Sequence, residues 1–205
     1  MLTFESTVHK QRFSLGVICG LLPILCVLFG LISCTIGNNP WSLLSSISET
    51  YWSNHNSIMI IALGLCGFFL FTYQGYDLGD KVLTLIAGVG ALGVAFVPCR
   101  SDIAPEYVGL LSLPVWTSNT VHFIFATMVF GGFTLMTLTQ FTKGSNKKRN
   151  RVYIICGIVM LIALLLVPVK NTFGWPTWTM MLLEFIMLEA FSVSWIVKSK
   201  VAIQR

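Results

Sequence analysis

Six runs of mainly apolar residues divide the chain: 13–35, 57–75, 81–99, 120–141, 151–169 and 178–198. Each approaches the roughly 20 residues that an α-helix needs to cross the hydrocarbon of a bilayer. None shows the alternation of a half-buried strand. Backbone groups in hydrocarbon must bond within their own segment unless a barrel closes. The pattern therefore predicts an all-α, polytopic membrane protein, with six transmembrane helices in one domain over residues 1–205. The second and third runs are separated only by "GYDLGD" (75–80), a tight reversal that places Asp77 and Asp80 at one membrane face.

Charge supports the same division. The chain is 55% hydrophobic and 10% charged, against roughly 45–50% and 25% in soluble domains. So few charges cannot coat a soluble globule, but they can cap helices whose sides face lipid. The net charge of +5 sits between the apolar runs, not along one stripe, so it marks topology and predicts no nucleic-acid partner. Assigning loops to alternate faces puts eleven basic residues on one side, with Lys143, Lys147, Lys148, Arg149 and Arg151 around the loop at 142–151. Only Arg100 and Lys170 fall on the other. That asymmetry predicts cytoplasmic termini and a cytoplasmic (inner) membrane location. A second reading of the first run is a cleaved secretory segment, with "LISC" (31–34) as a lipoprotein-processing box acylated at Cys34; its length favours a retained span.

Packing between helices in lipid relies on close backbone approach at small residues. Gly16 and Gly20, the ridge Ala87, Ala91 and Ala95, and the set Thr127, Gly131 and Thr134 supply such surfaces. Pro23, Pro98 and Pro168 kink or end helices. Trp41, Trp52, Trp116, Trp175 and Trp178 cluster toward the outer boundary, and Trp195 toward the inner one. The six cysteines form no C-x-x-C pair and read mostly as small buried hydrophobes. Cys34 and Cys99 share the outer side, so a disulfide between them is an alternative.

Ionisable groups at membrane depth mark a functional interior or a buried pair. His122 near the outer start of the fourth span and Glu184 two turns into the last lie at matched depth, so they are expected to meet. The outer loop "SSISETYWSNHNS", which holds Ser48, Glu49, Tyr51 and His55, forms either a lid over such a pocket or a plain solvated loop. Ser48, Glu49, Tyr51, His122 and Glu184 form the candidate ligand site. The plain reading is one hydrogen-bonded pair that fixes helix register. Glu189, about 140° around the helix from Glu184, is a secondary candidate and can bond Ser192. At the reversal, Asp77 or Asp80 caps the third helix, Gly75 and Gly79 permit the turn, and the spacing pairs Tyr73 with Asp77 and Tyr76 with Asp80. An inner-face cation site there is the alternative. No phosphate loop, nucleophile elbow, zinc-protease or haem-attachment motif is present. The sequence predicts no cofactor and no metal. Its expected partners are membrane lipid, a small amphiphilic ligand and, as an open alternative, further copies of the chain.

The blocks "SISETY", "GYDLGD", "ALGVAFVPC", "VHFIFATMVF", "KKRNRVYIICG" and "LEAFSVSWIVKS" resemble a family of small bacterial multi-pass membrane proteins without an assigned activity. More distantly, the order of an outer Ser, an Asp ending the second span and a single His in a middle span is similar to the CREST superfamily, which includes alkaline ceramidases and the progestin and adipoQ receptors. That resemblance implies a zinc-type hydrolase site acting on a lipid amide or ester, with Ser48, Asp77 and His122 at the matching positions. The last span carries Glu184 and Glu189 where those seven-helix proteins have H-x-x-x-H. Three functions follow as expectations: binding or transport of a small ligand or lipid through an outward-facing polar pocket; membrane hydrolysis; or a structural role in which the ridge of Ala87, Ala91 and Ala95 faces another chain.

Overall fold

The computed structural model of the chain describes residues 4–33, 35–36, 39–40, 44–73, 75 and 77–199. It is all-helical, with six α-helices: α1 (Phe4–Ser33), α2 (Asn56–Phe71), α3 (Leu78–Phe96), α4 (Val115–Leu135), α5 (Lys147–Thr172) and α6 (Thr179–Ser199). Five are long and apolar enough to cross a membrane; α2, at 16 residues, is shorter. The expected second span reached residue 75, but the helix stops at Phe71, and Gln74 and Tyr76 lie outside the described residues. The fourth run extends instead, through a π-helical turn at Met136–Gln140 and a 3-10 turn at Phe141–Lys143. Two short hairpins, β1–β2 (Thr35–Ile36 with Asn39–Pro40) and β3–β4 (Tyr107–Val108 with Leu113–Pro114), lie in loops at the same end of the bundle.

The helices close into a ring: each packs on its neighbours in the chain, and α6 returns to α1. The ring is uneven. Contacts of α6 with α1 and α5, and of α3 with α2 and α4, are extensive, whereas α1 against α2 and α4 against α5 are thinner. Two three-helix layers result, one centred on α6 and one on α3. Small residues set both. Gly16 and Gly20 lie against Ile196 and Ser192 of α6, so that a Cβ at Gly20 would fall 2.5 Å from Ser192 Oγ. Ala87, Ala91 and Ala95 are essentially fully buried, and a Cβ at Gly132 would sit 3.1 Å from Ala87 Cβ. The alanine ridge is therefore used inside the chain, against α4. Of the expected ridge of Thr127, Gly131 and Thr134 only Thr134 is buried: Thr127 is exposed and a Cβ at Gly131 would meet nothing within 4 Å, because the small residue on the inward face is the next one, Gly132, about 100° further round.

The side of the bundle is apolar and open, as lipid requires: Ile61, Phe68 and Leu165 are each 61% exposed. Trp116 and Trp178 are exposed at the loop-bearing end, while Trp41 lies outside the described residues. Trp195 departs from the expected belt and is wholly buried. It joins an aromatic plug that fills the opposite half of the bundle. Phe133 of α4 stacks on Phe191 of α6 at 3.4 Å between ring centroids. Trp195 then meets Phe191, Tyr73 and Phe141 edge-on, and Phe141 meets Tyr153. Edge-on ring pairs add roughly 0.5–1.5 kcal/mol beyond simple packing, which ties the two layers together at this end.

Close approach is the load these glycines carry, and it differs sharply between neighbours. A Cβ at Gly90 would lie 2.8 Å from the Phe125 carbonyl oxygen, a backbone atom, whereas one at Gly131 would meet nothing within 4 Å. Gly90→Ala is expected to lower unfolding stability in micelles by about 1–3 kcal/mol. Gly131→Ala is expected to leave stability unchanged or raise it by up to about 1 kcal/mol, since alanine is the better helix former.

Candidate functional site

At the loop-bearing end, the segment 44–53 folds over the helix ends and is built by its own side chains. Ser46 and Glu49 form a close variant of the capping box, the S-x-x-E arrangement of a helix start: Glu49 N–H donates to Ser46 Oγ at 3.0 Å, while the Glu49 carboxylate reaches back one residue further, accepting Ser45 N–H at 2.6 Å. This launches the 3-10 turn Ser48–Trp52. Glu49 thus serves the loop's own backbone. Tyr51 packs on the core from above and meets Trp52 edge-on.

Glu184 receives this turn. It is 3% exposed, one and a half turns into α6. Its Oε2 accepts the Ile47 N–H at 2.5 Å, and its Oε1 accepts the Ser48 hydroxyl at 3.2 Å. The backbone of α6 reinforces the seat, with Met181 N–H donating to Ser45 O at 2.9 Å. Among the described residues no cation pairs with Glu184. Below the carboxylate lies a cavity of about 30 Å³ between the two layers. Leu22, Met59, Leu63, Val129 and Leu188 form its apolar wall, and Ser48 and Glu184 are its polar members.

His122 is not part of this cavity. It is 2% exposed, and its Nδ1 lies 2.7 Å from the Val97 carbonyl. A carbonyl only accepts, so Nδ1 carries the hydrogen. Neighbouring bonds do the same work: Ser118 donates its hydroxyl to Pro98 O at 2.7 Å, and Asn119 Oδ1 accepts from Arg100 N–H at 2.9 Å. Together they pin the chain where it leaves α3, and Trp52 Nε1–H links that segment back to the 44–53 loop through Cys99 O at 2.9 Å. The expected meeting of His122 with Glu184 does not occur; each is satisfied by backbone groups of a different loop. Of the candidate ligand site, the structure brings Ser48 and Glu184 together and leaves Glu49, Tyr51 and His122 in supporting positions around them.

The reversal at 75–80 is a capped turn. Asp77 caps α3, accepting the Asp80 N–H at 2.8 Å, and pairs with Lys143 Nζ at 2.5 Å. Asp80 is buried. The pairings of Tyr73 with Asp77 and Tyr76 with Asp80 presumed a continuous helix; the helix ends first, and Tyr73 turns inward to accept Arg12 Nε–H at 2.7 Å. Gly75 is needed for space and not for a left-handed backbone, since a Cβ there would run into the Asp80 side chain. Among the described residues Glu189 Oε1 has no hydrogen-bond partner, Ser192 included.

Ser48, Asp77 and His122 do not converge. Asp77 sits before the start of α3 and His122 holds the residue just after its end, which a 19-residue helix separates by about 28 Å. Among the described residues no cluster of three or more His, Cys, Asp or Glu is placed to hold a metal. Cys34 lies outside the described residues, and Cys99 is a buried free thiol.

Two features went unread in the sequence. Arg12 is 1% exposed at the end with the aromatic plug, on the same stripe as Leu15, Cys19, Leu22 and Cys26. That 3–4 spacing is a visible signal that the buried face begins before residue 13. Cys19 and Cys66 lie with their sulfurs 3.0 Å apart, and no sequence pattern signals that pairing. Compared with family models, with curated proteins and with solved structures, the chain matches none.

The Lys143 ammonium, and after it the Asp80 N–H, hold the Asp77 carboxyl below the usual carboxylate range. A carboxyl depressed on folding stabilises above its unfolded pKa, and that contribution fades as pH falls through the folded value. Asp77→Asn keeps a capping side chain but loses the ion pair. Unfolding midpoints measured from pH 7 down to pH 2 are expected to differ between parent and variant at neutral pH and to converge in acid.

Proposed function

We propose that the chain is an inner-membrane protein that crosses six times with both ends in the cytoplasm, and that it binds a small amphiphile whose head is received at Glu184 from the outer face. The topology is supported by the eleven-to-two division of basic residues, by five helices of spanning length and by the apolar flanks. The short α2 is about 24 Å long, and local thinning of the bilayer accommodates such a span.

The binding reading is carried by one observation: a buried carboxylate, met by backbone N–H groups and a hydroxyl of a surface loop and by no cation among the described residues, forms the polar end of an otherwise apolar cavity. Acids at this depth are costly and mark function by default. The bonds to Glu184 come from groups that water would satisfy if the loop lifted, so a ligand that donates hydrogen bonds and carries positive charge can replace them. The cavity holds about two water-sized molecules, so an alkyl chain enters by displacing the 44–53 loop and parting the thinner seams between the layers. The aromatic plug closes the other end, which favours a one-ended binding site over a conducting path.

A series of alkylamines added to protein in lipid nanodiscs tests this. Amines are expected to raise the melting temperature while alcohols and carboxylates of equal chain length do not. Glu184→Gln, which retains an acceptor for Ile47 N–H, is expected to abolish the amine effect. An amine shift that survives Glu184→Gln, or no shift with any amine, refutes the reading.

A further inference from the structure

The open side of α4 carries a groove of about 480 Å³ lined by Asn119, Thr120, Phe123, Ile124, Thr127 and Met128. Its two threonines spend their hydroxyls on their own helix: Thr120 donates to Trp116 O at 3.1 Å and Thr127 to Phe123 O at 2.8 Å. The groove is therefore mainly apolar below Asn119. One turn beyond Thr127, a Cβ at Gly131 would meet nothing within 4 Å, so the open space continues. From Asn119 to Gly131 the helix rises about 18 Å, against about 15 Å for the hydrocarbon of one leaflet. The groove is continuous with the exposed apolar flank of the bundle, where Phe123 and Ile124 are themselves open.

Charge marks one end of it. The Arg100 backbone N–H donates to Asn119 Oδ1 at 2.9 Å, and the Arg100 guanidinium lies over the Trp116 ring, 4.0 Å from its centroid. Trp116 stands one turn before Asn119 and Thr120 on α4. Asp102 is exposed two residues after Arg100. Glu106, also exposed, is held beside the start of α4, where its carbonyl accepts the Val115 N–H at 2.9 Å. Among the described residues no ion pair joins these three side chains. Trp116 and, on the adjacent hairpin, Tyr107 are exposed, and both residue types favour the headgroup level of a bilayer.

We propose that the α4 groove and the charges above it form a site for one phospholipid with a zwitterionic, hydrogen-bond-donating head of the phosphoethanolamine type. The Arg100 guanidinium takes the phosphodiester, which suits its planar fork of donors. Asp102 and Glu106 accept the ammonium N–H groups, and one acyl chain lies in the groove. A glycerol head gives the two acids no positive charge, and a choline head has no N–H to donate. This inference does not depend on amine binding at Glu184.

Native mass spectrometry of the protein in micelles gives the test, with phosphatidylethanolamine, phosphatidylcholine and phosphatidylglycerol of identical chains added one at a time. The first phosphatidylethanolamine is expected to bind about tenfold more tightly than either of the others, the worth of one charge-assisted hydrogen bond. Asp102→Asn combined with Glu106→Gln is expected to bring it down to the phosphatidylcholine level. Arg100→Gln is expected to weaken all three lipids. Thr127→Leu, which fills the groove, is expected to do the same while leaving the melting temperature in lipid-free micelles unchanged. All four substituted side chains are exposed, so no core contact is lost. Equal binding of the three lipids overturns the proposal, as does tightest binding of either other lipid. A phosphatidylethanolamine preference that survives the acid substitutions, or binding unchanged by Arg100→Gln and Thr127→Leu, overturns it equally.

Discussion

The bond from Ile47 N–H to the Glu184 carboxylate solves two problems at once. A carboxylate one and a half turns into a membrane helix needs donors, because lipid offers none. A loop packed over helix ends has backbone N–H groups that need acceptors. Each supplies the other here, without a cation. The bond sets where the 44–53 loop sits, and the loop in turn reaches Cys99 through Trp52. His122, Ser118 and Asn119 hold that neighbouring segment from α4. One end of the bundle is thus a connected polar cap, with Glu184 as its seat on α6.

The other end is closed differently. Rings from α4, α5 and α6 interlock around Trp195, and Arg12 lies buried beside Tyr73. Between cap and plug the two layers do not quite fill the space. The residual cavity follows from the uneven ring, in which α6 and α3 each gather two close partners while the seams between layers stay thin. Glu184 and Ser48 are the polar members of its lining.

Much of the architecture was legible because lipid imposes one-dimensional rules. Run lengths gave the helices, and the burial of Ala87, Ala91 and Ala95 followed from their spacing. The errors arose where a second coordinate was needed. His122 and Glu184 do share an end of the bundle, but matched depth says nothing of direction around each helix: α4 and α6 meet through Phe133 and Phe191, while His122 turns to Val97 and Glu184 to the 44–53 loop. Gly131 and Gly132 differ by one position and by a third of a turn. Tyr73 and Asp77 fit a helical spacing that the turn after Phe71 interrupts. Glu49 was read as a ligand although "SISE" already spells a capping box. The contact of Cys19 with Cys66 depends on the crossing of two helices, which no local pattern encodes.

Glu184 anchors the 44–53 loop, and hydrogen exchange at Ile47 measures that bond directly. In nanodiscs the Ile47 amide is expected to exchange slowly in the parent. In Glu184→Ala, protection across 44–53 is expected to fall by the equivalent of about 1–3 kcal/mol, while the cores of α3 and α6 stay protected. Fast exchange at Ile47 in the parent, or slow exchange that persists in Glu184→Ala, would contradict it.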